Sequence, residues 1–409
     1  MLPPMTMIAD EPASTSPDNG AHARPRIFVS VAEQSADEHA AILTRAFMDS
    51  VPDARFEGLA GPALRAEGVE SFEDLTRQSA MALAAFKKIP WALRLMRRVR
   101  RYLKARHYDA AVLVDSPALH LPMAKICRSL GIPVLFFIAP QTWAWGPPKW
   151  RNSRIRKRVD RLACIWPFEE SYFQDAGIAA RYVGHPSFDR LAAVDVSQQA
   201  IDGHRLGAQQ VITLLPGSRP HVVNEVLPGQ LEVATALARR FAKLRVLAVA
   251  ANDDVRAQIE AISKKLAPNL PITLLQGDAA RAEAIKAADL VLVASGTVTL
   301  EVAYWATPMI VMYNSNRWTY NLVGRWLIRT PWLSIPNIVA QRELVPEYMP
   351  YYTSTAPIAA QAIDWLSNPL ARQRIREDLR RTIEPLVKTG AAANAAAELH
   401  ALLLEKSRR

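Results

Sequence analysis

Short apolar runs alternate with helical patterns along most of this chain. The first run, residues 26–32, is mainly apolar with two valines and predicts a buried parallel strand. After a polar loop, apolar residues recur at helical spacing through Ala40, Leu43 and Phe47. A strand, a short loop and a helix in this order begin a doubly wound α/β unit.

The alternation continues in two series, separated by a polar stretch at residues 197–210 that predicts a linker and a short helix. The first series ends near residue 194, and the C-terminal part of the chain is alanine-rich and helical in pattern. Further strands are predicted at residues 56–60, 110–114, 133–138, 161–165, 180–183, 211–215, 244–250, 272–275, 290–293 and 309–313, and helices at residues 89–106, 122–130 and 223–241.

These two series predict an α/β fold with two domains of similar size. We expect a disordered extension at residues 1–25, a first domain at 26–195, a second domain at 208–370 and a helical segment at 371–409. In open parallel sheets, ligands bind outside the carboxyl ends of the strands. Candidate functional residues are therefore expected in the loops that follow the predicted strands.

The composition excludes several classes of protein. Of the 409 residues, 50% are hydrophobic and 22% are charged, which is typical of a globular protein. Cys127 and Cys164 lie in apolar stretches and predict buried thiols, and two cysteines cannot build a disulfide scaffold or a cysteine-based zinc site. No uncharged apolar run reaches the roughly 18 residues of a membrane-spanning helix. Residues 1–25 lack the features of a signal peptide.

The formal net charge of +11 indicates an anionic partner, which could be nucleic acid, a membrane surface or a phosphorylated ligand. The predicted helix at residues 89–106 is amphipathic and basic, a pattern typical of a membrane surface. The alternative is a solvated helix that packs on a sheet by its apolar stripe. The residues predicted to contact a membrane are Phe86, Trp91, Arg97, Arg98 and Arg101.

A second basic run, residues 149–158, lies beside three tryptophans. Basic residues next to aromatic ones can bind single-stranded nucleic acid. Because no nucleic-acid-binding motif accompanies this run, nucleic acid is not an expected partner.

Two turns in the second half of the chain have the residues of a phosphate site. Each follows a predicted strand and opens a helix, whose N-terminal N–H groups can bind an anion. Glu301, one turn into the second helix, can bind paired ribose hydroxyls or stabilise the helix N-terminus. Two such turns favour a nucleotide site over two ordinary βα turns. The turn residues are Gly217, Ser218 and Arg219 in the first and Ser295, Gly296 and Thr297 in the second.

Candidate catalytic residues follow two strands of the first domain. Glu33, Ser35 and Asp37 come after the first strand, and Asp115 comes after the strand at residues 110–114. An aspartate at this position can act as a general base for a hydroxyl nucleophile. The alternative is an aspartate that caps a helix.

The sequence resembles that of the lipid-A-disaccharide synthases, which are inverting glycosyltransferases with two Rossmann-like domains (GT-B architecture). The resemblance covers nearly the whole chain after residue 25 and rests on short segments in family order. These segments are residues 58–62 (GLAGP), 66–68 (AEG), 114–117 (VDSP), 143–145 (WAW), 167–169 (PFE), 184–186 (GHP), 215–219 (LPGSR), 294–297 (ASGT), 335–337 (IPN) and 342–347 (RELVPE).

The resemblance implies that UDP-2,3-diacylglucosamine donates its sugar to the 6-hydroxyl of 2,3-diacylglucosamine 1-phosphate, which yields a β-1,6-linked disaccharide and UDP. It implies Asp115 as the base and Arg219 as a stabiliser of the leaving UDP, with neither a metal nor another cofactor. Glu301, Asn337 and Gly277 are implied as further nucleotide-site residues. The family also implies a peripheral location on the cytoplasmic face of the inner membrane, and a homodimer is a further expectation.

Departures from the family pattern cluster in the first half. The family's first loop, Gly-Glu-Ala-Ser-Gly-Asp, is here residues 32–37 (AEQSAD), and Ala-Pro-Asp-Phe-Asn after the base is here residues 116–120 (SPALH). Ser-Pro-Ser-Val is replaced by residues 139–142 (APQT). Two alternatives therefore stay open: a related glycosyltransferase with another lipid or glycan acceptor, and a non-catalytic, membrane-associated binder of nucleotide sugars.

Overall fold

The computed structural model describes residues 24–76, 89–144, 147–314 and 330–407. Its first half contains seven strands: β1 (Arg26–Ser30), β2 (Arg55–Leu59), β3 (Glu70–Glu73), β4 (Ala110–Val114), β5 (Val134–Phe137), β6 (Arg161–Cys164) and β7 (Ala180–Tyr182). They form one parallel sheet in the order β3-β2-β1-β4-β5-β6-β7. The strand order reverses between β1 and β4, so the loops after these two strands meet at one crevice.

Six described helices connect these strands: α1 (Gln34–Ser50), α2 (Pro62–Ala66), α3 (Ile89–Lys104), α4 (Pro117–Ser129), α5 (Pro148–Arg156) and α6 (Pro167–Asp175). A further helix, α7 (Pro186–Ala192), follows β7. Helices α3 to α6 share one face of the sheet, where Val99, Cys127 and Phe173 pack in one apolar cluster with Phe28. Helix α1 lies on the other face, with Phe47 in a second cluster. This arrangement places both faces of the sheet under helices, as parallel sheets require.

The second half repeats the design with a six-stranded parallel sheet in the order β10-β9-β8-β11-β12-β13. Strands β8 and β11 are neighbours in this sheet, and the strand order reverses between them, so this is its switch point. The strands are β8 (Gln210–Leu215), β9 (Leu244–Ala250), β10 (Ile272–Gln276), β11 (Leu290–Ala294), β12 (Met309–Met312) and β13 (Glu347–Tyr348). The helices are α8 (Gln198–Arg205), α9 (Pro220–Arg240), α10 (Asp253–Leu266), α11 (Asp278–Ala287), α12 (Val298–Tyr304), α13 (Ile335–Ala340) and α14 (Ala356–Ser367).

Two further helices end the described chain, α15 (Pro369–Ile383) and α16 (Ala391–Ser407). Helix α15 contacts α12 and α13 in the second half, whereas α16 packs on α1 and on strands of the first sheet. Leu399 and Leu402 of α16 are buried in the same apolar cluster as Phe47. The chain thus passes between the two halves twice, at residues 193–197 and again at residues 384–390.

The predicted α/β fold with two parallel-sheet domains is confirmed. Both cysteines are fully buried free thiols, as predicted, and burial raises the pKa of the Cys127 thiol to about 12. Strand β3 was not predicted, because its sequence, ESFE, has no β-branched residue. Helix α4 begins at Pro117, five residues before the predicted start, because proline is favoured in the first helical turn.

Candidate active site

Asp115 occupies the turn between β4 and α4, at the switch point of the first sheet. Its φ is 54° and that of Ser116 is 44°, so two successive non-glycine residues are left-handed. Asp115 is half-buried, and burial is the main cause that raises the pKa of its carboxyl group. A backbone hydrogen bond from Ser116 opposes this rise, and the charge of Glu33 adds to it. A carboxylate with a raised pKa in a crevice is suited to accept a proton.

Glu33 is the residue before α1, in the loop that follows β1. It is half-buried, and its charge is close enough to raise the pKa of Asp115. Ser35 is exposed in the first turn of α1. The structure therefore brings Glu33 and Asp115 together and leaves the Ser35 hydroxyl accessible.

Asp37 has a different environment from the other acidic residues of this loop. Its side chain is buried, and its carboxylate accepts hydrogen bonds from the backbone N–H groups of Gly61 at 2.9 Å, Ala63 at 2.7 Å and Leu64 at 3.4 Å. A Cβ atom on Gly61 would lie 2.5 Å from Oδ2 of Asp37, so only glycine fits there. Asp37 thus caps the start of α2, which is the alternative that the sequence left open.

The first predicted phosphate turn lies between β8 and α9. Gly217 has a φ of 115°, and a Cβ atom there would lie 2.8 Å from Cγ1 of Val222. Ser218 and Arg219 are exposed, and Arg219 is the residue directly before α9. The free N–H groups of a 21-residue helix and a guanidinium group therefore lie at one anion-accessible surface.

The second predicted turn follows β11, the neighbour of β8. Gly296 has a φ of 146°, and nothing lies within 4 Å of where its Cβ would be. Ser295 is half-buried, and Gly296 and Thr297 are exposed. Both turns therefore present polar groups at the carboxyl edge of the second sheet.

Glu301 is 3% exposed and is held by arginines. Nε of Arg281 donates to both carboxylate oxygens, at 2.9 and 3.0 Å, and Nη2 of Arg190 lies 3.5 Å from Oε2. Arg281 uses one acceptor position on each oxygen, and a carboxylate has about four such positions. A ribose hydroxyl, as predicted for Glu301, would have to bind the acceptor positions that Arg281 leaves free.

Gly277 lies at the carboxyl end of β10 and is exposed, with a φ of 100° and open space beside it. It precedes α11, which carries Asp278 and Arg281. Nη2 of Arg281 donates to Asp278 at 2.6 Å. Gly277 thus adjoins the arginine that holds Glu301.

Asn337 is fully buried and its amide has no free capacity for hydrogen bonding. Its nitrogen donates to the backbone of Val345 at 2.8 Å and to Glu347 at 2.7 Å. Its oxygen accepts from the N–H groups of Leu344 at 2.7 Å and Val345 at 2.9 Å. The side chain of Asn337 therefore has no free donor or acceptor for the predicted nucleotide contact. It instead stabilises the conformation of residues 344–347.

Sequence reasoning missed Arg190 and Arg281, which come from different halves of the chain and meet at Glu301. Two histidines lie close to Arg190. Burial, with a smaller contribution from the charge of Arg190, lowers the pKa of His39 to about 4. Burial, with smaller contributions from His39 and Arg190, lowers the pKa of His185 to about 3. Both imidazoles are therefore neutral at pH 7. The pairing of Arg281 with Glu301 spans 20 residues and has no local sequence signal.

The apolar stripe of α3 faces the protein. Leu95, Val99 and Leu103 are buried against the first sheet, whereas Leu93 is 54% exposed. The apolar stripe of α3 is therefore covered by the sheet, as in the second of the two interpretations of this helix. The basic side of α3 is the side that faces outward.

The residues predicted to contact a membrane differ in how far they are exposed and in what they contact. Trp91 is half-buried and packs against the α3 core, and Arg97 and Arg101 are exposed. Nη1 of Arg98 lies 3.0 Å from a carboxylate oxygen of Glu73. Phe86 lies outside the described residues. None of the described helices is both long and apolar enough to cross a bilayer.

Among the described residues, no three His, Cys, Asp or Glu side chains come together as potential metal ligands. The expectation that the reaction needs no metal stays a prediction. At the second switch point, the groups suited to bind an anion are the backbone N–H groups at the start of α9 and Arg219.

Two doubly wound parallel-sheet domains, each with candidate functional residues at its switch point, are typical of the GT-B class of fold. A solved glycotransferase of kitacinnamycin has the same fold, with a TM-score of 0.60 at 13% identity over 93% of this chain and 100% of that one. So does a UDP-GlcNAc 2-epimerase from Neisseria meningitidis bound to UDP-GlcNAc, with a TM-score of 0.56 at 11% identity over 93% and 100% of the two chains.

The particular family follows from the sequence comparisons. The model of the lipid-A-disaccharide synthetase family matches residues 27–401. The lipid-A-disaccharide synthase of Syntrophus aciditrophicus is 34% identical over 375 residues, which cover 90% of this chain and 96% of that protein. This chain belongs to the lipid-A-disaccharide synthase family, and it is a glycosyltransferase of lipid A biosynthesis.

Proposed function

We propose that this chain transfers the sugar of UDP-2,3-diacylglucosamine to the 6-hydroxyl of 2,3-diacylglucosamine 1-phosphate. The observation that carries the proposal is the pair of switch points, one with the carboxylate of Asp115 and the other with the anion-binding turn at Arg219. A glycosyl transfer that releases a nucleoside diphosphate needs both groups. The solved epimerase with bound UDP-GlcNAc supports the choice of a UDP-sugar donor for this fold.

Asp115 acts as the general base in this proposal. The 6-hydroxyl oxygen of the acceptor attacks C1 of the donor sugar, and its proton moves to the carboxylate of Asp115. The bond between C1 and the UDP oxygen breaks, and UDP leaves with the electron pair. Attack from the face opposite UDP inverts the configuration at C1 and gives the β-1,6 linkage.

Arg219 and the N-terminus of α9 stabilise the leaving UDP. Negative charge grows on the diphosphate as the bond to C1 breaks. Preorganised donors aimed at developing charge lower the barrier more than donors that must reorient. The exposed Arg219 and the adjacent N–H groups supply such donors without a metal in this proposal. Glu301, held by Arg281, is proposed to contact the ribose through its remaining acceptor positions.

The purified chain is expected to release UDP from UDP-2,3-diacylglucosamine only when 2,3-diacylglucosamine 1-phosphate is present, and to form the disaccharide. The measurement follows UDP and the lipid products together. UDP binding without this product, but with UDP release upon addition of another lipid or glycan, would instead establish a related glycosyltransferase. UDP binding without turnover on any acceptor would establish a non-catalytic binder.

The basic side of α3 is proposed to contact the anionic cytoplasmic face of the inner membrane, where acylated substrates reside. Arg97 and Arg101 are exposed on this side, four residues apart and thus neighbours on one helical face. Since the apolar stripe of α3 is buried in the protein, we propose that the attraction is mainly electrostatic. Such attraction contributes about 1 kcal/mol for each basic residue near the surface.

Replacing Arg97 and Arg101 with Glu is therefore expected to abolish binding to vesicles that contain anionic phospholipid. The matched control is Lys264→Glu with Lys265→Glu, since both lysines are exposed on α10 and the change in net charge is the same. Sedimentation with vesicles measures the bound fraction. Equal loss in both double variants would show that net charge, and not α3, governs binding.

A further inference from the structure

The imidazole of His120 lies fully buried directly behind Asp115, in the second turn of α4. Its Nδ1 is 2.7 Å from the backbone oxygen of Asp115, and its Nε2 is 2.9 Å from Oγ of Ser30. A carbonyl oxygen can only accept, so Nδ1 carries the proton and Nε2 accepts from the Ser30 hydroxyl. Burial lowers the pKa of His120 to about 4, which keeps the ring in this neutral form at pH 7.

The backbone that His120 contacts is strained. Asp115 and Ser116 are both left-handed, and such residues persist only where the surrounding structure holds them. The N–H group of Asp115 donates to the backbone oxygen of Phe137 at 2.9 Å, and its own oxygen accepts from His120. Both backbone polar groups of residue 115 are therefore hydrogen-bonded, the N–H group to β5 and the carbonyl oxygen to His120 of α4.

We propose that His120 is a positioning residue for Asp115, which fixes the carbonyl of residue 115 and thereby the direction of its carboxylate. Ser30, at the end of β1, fixes the ring. This inference rests on the proposed role of Asp115 as the base. It also accounts for one departure from the family pattern, in which His120 replaces the last residue of Ala-Pro-Asp-Phe-Asn, because a neutral imidazole and an asparagine amide can each both donate and accept a hydrogen bond.

Three variants separate positioning from packing. His120→Leu removes both hydrogen bonds at similar volume, and His120→Asn restores a donor and an acceptor. Cys127→Ala is the control, since Cys127 is a fully buried residue of the same helix without a contact to Asp115. The measurements are kcat, KM for the UDP-sugar and UDP affinity of each folded variant.

We expect His120→Leu to lower kcat on the order of 10- to 100-fold, because a misdirected base loses its alignment with the acceptor hydroxyl. KM for the UDP-sugar and UDP affinity should not change, since the base acts only in the transition state. His120→Asn should regain most of the lost kcat, and Cys127→Ala should lose stability and keep its kcat.

Ser30→Ala is the second test, and it decides if His120→Leu fails to fold. Without the Ser30 hydroxyl, Nε2 loses its partner and the ring is held by one hydrogen bond instead of two. The ring can then tilt away from the carbonyl of residue 115, so kcat should fall here too. Unchanged kcat in His120→Leu or in Ser30→Ala would overturn the inference, as would equal impairment of His120→Asn and His120→Leu. An inactive wild-type chain, or full turnover in Asp115→Asn, would instead overturn the proposed function and this inference with it.

Discussion

Replacing Asp115 with Asn is expected to lower kcat about 10²–10⁴-fold, the range that a general base contributes, and to leave UDP affinity unchanged. Asparagine keeps the shape of the side chain and tolerates the left-handed backbone at residue 115, so the change removes only the basic oxygen. Single-turnover kinetics and calorimetric titration with UDP measure the two quantities. Retained turnover would exclude Asp115 as the base.

The pH dependence of kcat/KM provides an independent test of the same group. Asp115 must be deprotonated to act, so activity should fall as the pH drops through its pKa. Because burial and the charge of Glu33 raise that pKa, the fall should begin above the ordinary range of aspartate. Glu33→Gln removes the neighbouring charge, so it should lower the pKa of Asp115 and move the acidic limb to lower pH.

Arg219→Ala is expected to reduce kcat/KM about 10²–10³-fold, the cost of removing one preorganised donor to developing charge. Ser218 and the N–H groups of α9 remain in this variant, so some stabilisation of the leaving diphosphate should persist. Arg219→Lys should recover part of the loss, because lysine keeps the charge but not the planar pair of donors. Steady-state kinetics and UDP titration measure both effects.

The matched control for Arg219 is Arg239→Ala. Arg239 is exposed at the opposite end of the same helix, so its removal changes the net charge equally without a change at the turn. Its kinetics should equal those of the unaltered chain. If Arg219→Ala behaves like this control, the diphosphate does not bind at the turn after β8.

The fold could be predicted because its signals are local. Each central strand is a short apolar run, such as residues 110–114, and hydrophobic periodicity alone identifies it. The edge strand β3 escaped prediction because half-buried edge strands need no apolar run. The buried stripe of α3 shows a further limit: its spacing predicts an amphipathic helix, but spacing does not tell whether a sheet or a bilayer covers the stripe.

The candidate site could be predicted only where a residue's position in its element decides its role. Asp115 and Arg219 follow strands at the two switch points, so topology alone places them. Asp37 also follows a strand, but its carboxylate turns to the start of α2, which nothing local in the sequence determines. The full engagement of Asn337 with residues 344–347 likewise depends on tertiary contacts.

The return of α16 to the first half affects the order in which the protein can fold during synthesis. Leu399 and Leu402 complete the apolar core that also contains Phe47, and Arg161 of β6 pairs with Glu398. The ribosome makes β6 more than 200 residues before these partners. The apolar surface that α16 covers in the first domain therefore stays exposed while the whole second domain is translated. An exposed apolar surface of this kind is a binding site for chaperones.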